Sequence, residues 1–368
     1  MHDTKLTLIL LGVLVFFAVG FILHILEPIL VPLVIAIFLS RIFSPLNAAL
    51  RRRRVPAALS ILLVLVLVSI AIAIFFWVMY TSAQSFKDAL PQYQARLKAM
   101  LDGITGWLAA SFPRVAAQVQ HYQWEKVVEV SSLTGFLAGT VGSVLLFLED
   151  SFLVLLFLVF LLSGSEAFPA KLRRAFAAEN AERLGAVMRN IESQVRRYLL
   201  TKTVVNLVTG GLVAILFALF GVDFPLLWGL VTFLAHYIPS IGAVVSVALP
   251  TIFLFLQLTP GTASLIAALS AGLQFFIGNV AEPRVMGESL DLSPLLVLLA
   301  LIFWGWLWGP WGMVLAVPMT STLKIVCENV EPLRPLATLM SGGEAPRAQT
   351  NRASNAGAGE TRMPSGLT

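Results

Sequence analysis

Gln194, Tyr198, Lys202 and Asn206 follow one another at intervals of four residues. A helix places such residues on one face. A stripe carrying an amide, a phenol, an ammonium and a second amide could bind a polar solute or an ion. The same stripe runs from a basic segment into an apolar one, so interfacial anchoring is an alternative, with Arg196, Arg197 and Lys202 reaching out to lipid phosphates. A second polar concentration runs through Gln274, Asn279, Glu282-Pro283-Arg284, Gly287 and Asp291. Glu282 could pair with Arg284, or with Pro283 freeing backbone carbonyls the segment could ligand a cation or a polar solute. Glu149 and Asp150 are adjacent acids inside an apolar run, where a carboxylate is costly unless paired, protonated or wet. Together with Glu282 and Asp291 they are the candidates for a coupling ion. If the apolar run begins at Ser151, the pair sits at the interface instead. His236 is a lone imidazole beside Ile238-Pro239-Ser240-Ile241-Gly242, either a structural histidine or a proton relay.

Other chemistry has no matching residues. There is no Gly-Lys dipeptide and hence no phosphate-binding loop of the Gly-x-x-x-x-Gly-Lys-Ser/Thr type. Four scattered histidines and one cysteine, Cys327, make no metal cluster, and no intrachain disulfide can form. No catalytic set, cofactor motif or metal site is expected, so the chain does not read as an enzyme.

The elements that must hold these groups are membrane helices. Of the 368 residues, 58% are hydrophobic and 12% charged, against roughly 45–50% and about 25% in soluble domains. The mean hydropathy is +0.87. A soluble fold could not bury this excess, so it must face lipid. The net charge of +5 sits in short clusters between apolar runs, which points to membrane topology and away from nucleic acid.

A crossing helix needs roughly 20 apolar residues. The runs 6–26 and 29–43 flank Glu27-Pro28 and predict a helical hairpin. Arg51–Arg54 then place the following turn in the cytoplasm by the positive-inside rule. The third span is 57–80. Residues 81–140, with mixed charge and amphipathic spacing, predict a helical insertion outside the membrane. The fourth span lies within 141–163. The basic segment 164–202 returns to the cytoplasm. The C-terminal bundle, 203–340, opens with the span 203–220. It continues with 226–258, broken by Pro239, Gly242 and Pro250, which is one broken crossing or a re-entrant pair. The runs 262–277 and 295–324 follow, and the tail 341–368 reads as disordered. The expected fold is all-α, a polytopic membrane protein of about eight spans with both termini cytoplasmic.

A weak internal repeat accompanies the breaks. Asp223-x-Pro225, Pro239, Gly242 and Pro250 have counterparts in Asp291-x-x-Pro294, Pro310, Gly312 and Pro318. Repeats of interrupted helices in transporters line solute sites. A chance coincidence of prolines is the alternative. The Trp304, Trp306, Trp308, Trp311 cluster, threaded with Gly305, Gly309 and Gly312, predicts an interfacial aromatic belt combined with close helix packing.

With these motifs the sequence resembles the AI-2E family, bacterial transporters named for export of the signal autoinducer-2. The resemblance is carried by Tyr198, Lys202 and Asn206; Gly221 and Trp228-Gly229; Ile238-Pro239-Ser240-Ile241-Gly242; Pro250; Asn279 and Pro283; Gly287; Leu292-Ser293-Pro294; Trp304-Gly305, Trp308-Gly309, Gly312 and Leu315-Ala316-Val317-Pro318. It implies an eight-span protein of the bacterial inner membrane with a hydrophilic insertion after the third span. The implied activity is secondary transport or export of a small solute, with sodium(lithium)/proton antiport as an alternative. A non-transporting scaffold, binding partners through its extramembrane segments, is a further reading. Lipid and a small-molecule or ionic substrate are the expected partners, and a homo-oligomer is compatible with the resemblance.

Overall fold

The structure, a computed structural model, describes residues 2–111, 130–164, 168–286 and 292–342. Among the described residues every regular element is helical. Long apolar runs with few internal breaks set the helix lengths. α1 (His2–Ile25) and α2 (Glu27–Arg52) are separated by a single residue, Leu26 (φ −84°, ψ 3°). Pro28 sits in the first turn of α2, where its missing N–H is no loss. α2 closes at Arg52, and Arg54 takes a left-handed backbone (φ 63°) to reverse the chain.

α3 (Ala57–Ser111) has 55 residues and is about 80 Å long, far more than a bilayer needs. The expected insertion therefore begins as a continuation of the third span, with residues 81–111 on the same helix. α4 (Val130–Gly164) packs antiparallel to α3. Phe75 stacks on Phe147 at 5.1 Å between ring centroids, and Val64 and Val68 meet Val154, Leu158 and Leu162 around Ala36 of α2. After the short basic helix α5 (Phe168–Ala175), α6 (Ala178–Leu219) fuses the basic segment and the fifth span into one helix. Arg41 of α2 bonds Glu192 of α6 at 2.5 Å on the side that carries Arg51–Arg54, here termed the basic side.

Two helical hairpins follow, separated by one crossing helix. α7 (Pro225–Ala235) and α8 (Ile241–Gln257) have 11 and 17 residues, each too short to cross alone. Their two ends meet. The Gln257 carboxamide accepts from the Asp223 N–H at 2.9 Å and donates to the Gly221 carbonyl at 3.0 Å. Residues 226–258 thus fold back as a helical hairpin whose two ends lie together on the side opposite the basic one. Ser240, with φ 63°, turns the chain at the tip. The tip reaches Thr203, whose hydroxyl lies 2.8 Å from the Tyr237 hydroxyl, about 24 Å back along α6 from Leu219.

α9 (Pro260–Phe276) returns the chain toward the basic side through a π-helical turn, Ile277–Ala281, into α10 (Glu282–Met286). α11 (Pro294–Asn329) breaks at Trp308 (φ −130°, ψ 24°) and Gly309 (φ 56°, ψ −142°). Its halves run antiparallel: the Trp304 indole donates to Thr320 at 3.1 Å, and Ala300 and Leu301 pack on Ala316. This second hairpin has its base on the basic side, where Arg183 of α6 bonds the Asn329 carbonyl at 3.2 Å. The Ser293 N–H donates to the Met340 carbonyl of α12 (Arg334–Met340) at 3.1 Å. Its tip reaches the α1–α2 turn, where the Trp308 indole donates to Leu23 and the His24 ring meets the Leu307 carbonyl.

The two hairpins therefore enter from opposite faces. Pro225 and Pro294 start their first arms, Pro239 and Pro310 stand at their tips, and Pro250 and Pro318 lie in their second arms. Among the described residues α1, α2, α3, α4, α6 and α9 are each one unbroken helix, and the other two apolar stretches fold back. The tryptophans divide: Trp306 is exposed like a belt residue, whereas Trp308 is buried inside the hairpin. Asp291, Gly287 and the tail beyond residue 342 lie outside the described residues.

On the side opposite the basic one, the α3 extension rests on the first hairpin. Tyr93 packs on Phe253 at 5.0 Å and donates to the Asp223 carboxylate. Burial, and then the carboxylate beside it, hold the Tyr93 phenol well above its ordinary range, so it remains a donor.

Candidate functional site

The buried polar groups of α6 form a column. Tyr198, Lys202, Asn206 and Thr209 are all buried, and Gly210 continues the face. Glycine there lets α7 approach: a Cβ on Gly210 would stand 2.5 Å from the Gly229 carbonyl, and one on Gly229 would stand 2.6 Å from the Gly210 carbonyl. With Gly210 against Gly229 and Thr203 against Tyr237, antiparallel counting sets Asn206 level with Thr232 and His236 of the first hairpin.

α9 closes the third side. Val213 and Phe217 of α6 share a core with Ala263 and Ile266 of α9, and Lys202 meets Glu282 further down. The same counting puts Ser270 and Gln274, one turn apart and both buried, beside Thr209 and Asn206. The π-helical turn adds a residue before Glu282, which changes the direction in which its carboxylate leaves the helix.

Lys202 is 4% exposed, and its ammonium donates to the Glu282 carboxylate. The lysine is thus turned inward and paired, and does not reach out to lipid phosphates. Glu282 pairs across the helices, and the local pairing with Arg284 is not found. The Tyr198 phenol stands in the electrostatic reach of Glu282 and Tyr237. His236 Nδ1 lies 2.9 Å from the Thr232 carbonyl and 3.3 Å from the Ser246 hydroxyl. Lys202, Glu282 and Gln274 lie near its ring. Gln274 approaches the imidazole without the geometry of a hydrogen bond.

The balance of donors and acceptors is the distinctive feature. Both amide atoms of Asn206, both of Gln274, and the hydroxyls of Thr232 and Ser270 are buried with no hydrogen-bond partner among the described residues. Buried polar groups are nearly always paired, with protein or with water. The four side chains, Asn206, Thr232, Ser270 and Gln274, stand on three neighbouring helices. The cluster can hold a small molecule through neutral amides and hydroxyls beside one ion pair. Among the described residues no His, Cys, Asp and Glu are grouped to hold a metal.

Other candidates lie elsewhere. Gln194 is half-buried and donates to Asn190 at 3.0 Å, two turns from Lys202 on the same face. Asn279 is exposed and donates back to the Phe275 carbonyl, and Pro283 is exposed beside Glu282. Pro239 and Gly242 shape the hairpin tip without offering side-chain polar groups. Glu149 and Asp150 are exposed on α4, away from the cluster. Thr209, Thr232, Ser246 and Ser270 are members that the sequence reading did not single out. The available signal was the i,i+4 pairing of polar residues, Thr232 with His236 and Ser270 with Gln274, inside apolar runs.

The chain matches the model of the AI-2E family transporter over residues 11–331. It is 31% identical over 334 residues to the AI-2 transport protein TqsA of Escherichia coli (strain K12), covering 90% of this chain and 94% of that one. It is 34% identical over 325 residues to YhhT of the same strain, covering 87% and 90%. A candidate transport protein of Borreliella burgdorferi is 31% identical over 325 residues, covering 86% of each chain.

Proposed function

The chain belongs to the AI-2E transporter family, and from that premise we propose that its solute passes through the buried cluster bounded by α6, the first hairpin and α9. The observation that carries this reading is the set of orphaned groups on Asn206, Thr232, Ser270 and Gln274. A bilayer tolerates irregular backbone and lone polar groups only where they are enclosed by protein or line a wet cavity. Opposed hairpins supply such backbone, as in transporters built from inverted repeats with a midplane site.

In this reading the cargo is a small, polar, hydroxyl-bearing molecule of the autoinducer-2 kind, exported across a bacterial inner membrane. TqsA is named for AI-2 transport, and neutral amides and hydroxyls suit such a ligand. The basic side, with Arg51–Arg54 and the arginines of α5 and α6, faces the cytoplasm by the positive-inside rule. Both termini are then cytoplasmic, and the α3 extension stands on the outer side. A second reading, cation/proton antiport, is favoured by one observation. Glu282 is the acid in the cluster, and a cation could exchange with the Lys202 ammonium for its carboxylate.

Flux in proteoliposomes tests both readings, first with autoinducer-2 and then with Na⁺ or Li⁺ against an imposed pH gradient. Asn206→Leu should reduce flux of the true substrate to background in a protein that still folds, as its melting temperature will show. Wild-type flux in this variant would remove the cluster from the path.

A further inference from the structure

A cavity remote from the cluster opens on the basic side. It encloses about 910 Å³ between α2, α4, α5 and α6. Its charged lining consists of Arg41, Arg173, Arg189, Glu182 and Glu192. Arg41 and Glu192 satisfy each other. That leaves two arginines against Glu182, with Lys171 and Arg174 adding positive charge on α5. Among the described residues neither Arg173 nor Arg189 has an ion-pair or hydrogen-bond partner. Gly185 permits this arrangement: a Cβ there would lie 3.2 Å from Arg189 Nη1 and 3.9 Å from Leu172 Cδ2. The Arg189 guanidinium therefore folds into the crevice between α6 and α5, toward the element that bears Arg173.

The cavity is amphiphilic, and its two halves are ordered along the helices. The last turns of α4 contribute Phe160, Leu161 and Leu162, and α2 contributes Ile37. Phe160 is 68% exposed, so this wall opens on the lipid-facing surface. Ser40, Arg41, Ser44 and Asn47 lie further toward the Arg51–Arg54 turn, as do the arginines of α5 and α6. An apolar wall at the end of the spans, topped by unpaired guanidinium groups, matches a molecule with an anionic head and an apolar tail.

We propose that this cavity seats an anionic phospholipid, with its phosphate between Arg173 and Arg189 and its acyl chains along Phe160 and Ile37. Guanidinium forks bind phosphate oxygens in pairs. Basic pockets between membrane helices on the cytoplasmic side recognise lipid headgroups, at about 1 kcal/mol per basic residue. A soluble organic phosphate offers the same anionic chemistry without the tail, and the apolar wall favours the lipid.

The test uses purified full-length protein in detergent and native mass spectrometry. The probes are phosphatidylglycerol, phosphatidylcholine and glycerol phosphate, and the proteins are wild type, R173Q/R189Q and a control, R53Q/R54Q. Wild type should retain phosphatidylglycerol over phosphatidylcholine, and R173Q/R189Q should lose about thirtyfold in affinity for it. The control should bind as wild type does. Equal retention of the two lipids by the wild type overturns the proposal, whether or not the double variant folds. Undiminished phosphatidylglycerol binding in a folded R173Q/R189Q also overturns it. Glycerol phosphate competing at equal affinity assigns the cavity to a soluble anion instead.

Discussion

Replacing Lys202 with methionine should abolish transport and destabilise the folded protein by about 3–5 kcal/mol. Methionine is close to lysine in length and apolar, so it leaves the packing largely filled and deletes the charge. The Glu282 carboxylate, whose side chain is 19% exposed, then stands without its counter-ion. Glu282→Gln does the converse to an ammonium whose side chain is 5% exposed, and should cost as much or more. Removing both charges is a different matter. A buried pair replaced by neutral groups of similar size is often neutral for stability, because the attraction mainly offsets desolvation. Lys202→Met/Glu282→Gln should therefore recover most of the lost stability without recovering flux. Thermal unfolding of the four proteins gives the coupling as a double-mutant cycle, and flux read alongside separates the two roles. Additive losses would mean that the pair does not form.

Gly242→Ala and Gly312→Ala should each destabilise by about 1–3 kcal/mol or more, through overpacking where nothing can yield. A Cβ on Gly242 would stand 2.1 Å from the Ala235 carbonyl oxygen, and one on Gly312 would stand 1.8 Å from that of Trp304. Both obstacles are backbone, so no side-chain rotation relieves them, and the arms of the hairpin must separate. The contrast is Gly211→Ala in α6, where nothing lies within 4 Å of the added carbon. There the gain in helix propensity should be about 1 kcal/mol. Melting temperatures of the three variants, compared with wild type, read both signs. Tolerance at Gly242 and Gly312 would mean that the arms are not in backbone contact.

The sequence showed these features unevenly. Long apolar runs and the Arg51–Arg54 cluster made the membrane class and the order of helices plain, because lipid demands both signals. The stripe of Tyr198, Lys202 and Asn206 was visible because four-residue spacing fixes a helix face. What faces that stripe was not visible. Whether Glu282 pairs with Arg284 or with Lys202 depends on the approach of α9 to α6, 80 residues apart in the chain. The π-helical turn that aims Glu282 leaves no mark in composition. Prolines at 239 and 310 announced breaks, yet one run of 33 residues could cross once or fold back. The Gln257 carboxamide, bonded to Gly221 and Asp223, decides for folding back by a contact that spacing does not encode. Thr232 and Ser270 look like ordinary helix-tolerant residues until burial shows that their hydroxyls have no partner.

Transport through the cluster requires that the orphaned groups border a hydrated, solute-accessible interior. Cys327 is the only cysteine in the chain, so Cys327→Ser gives a thiol-free background for labelling. On it, Ser270→Cys, nearly isosteric, and Leu269→Cys, one residue along on an exposed part of the same helix, are reconstituted and treated with a charged, water-soluble thiol reagent. Ser270→Cys should react and be protected by transported solute, and Leu269→Cys should stay inert in lipid. A transport-active Ser270→Cys protein that never reacts, with or without solute, would contradict transport through the cluster.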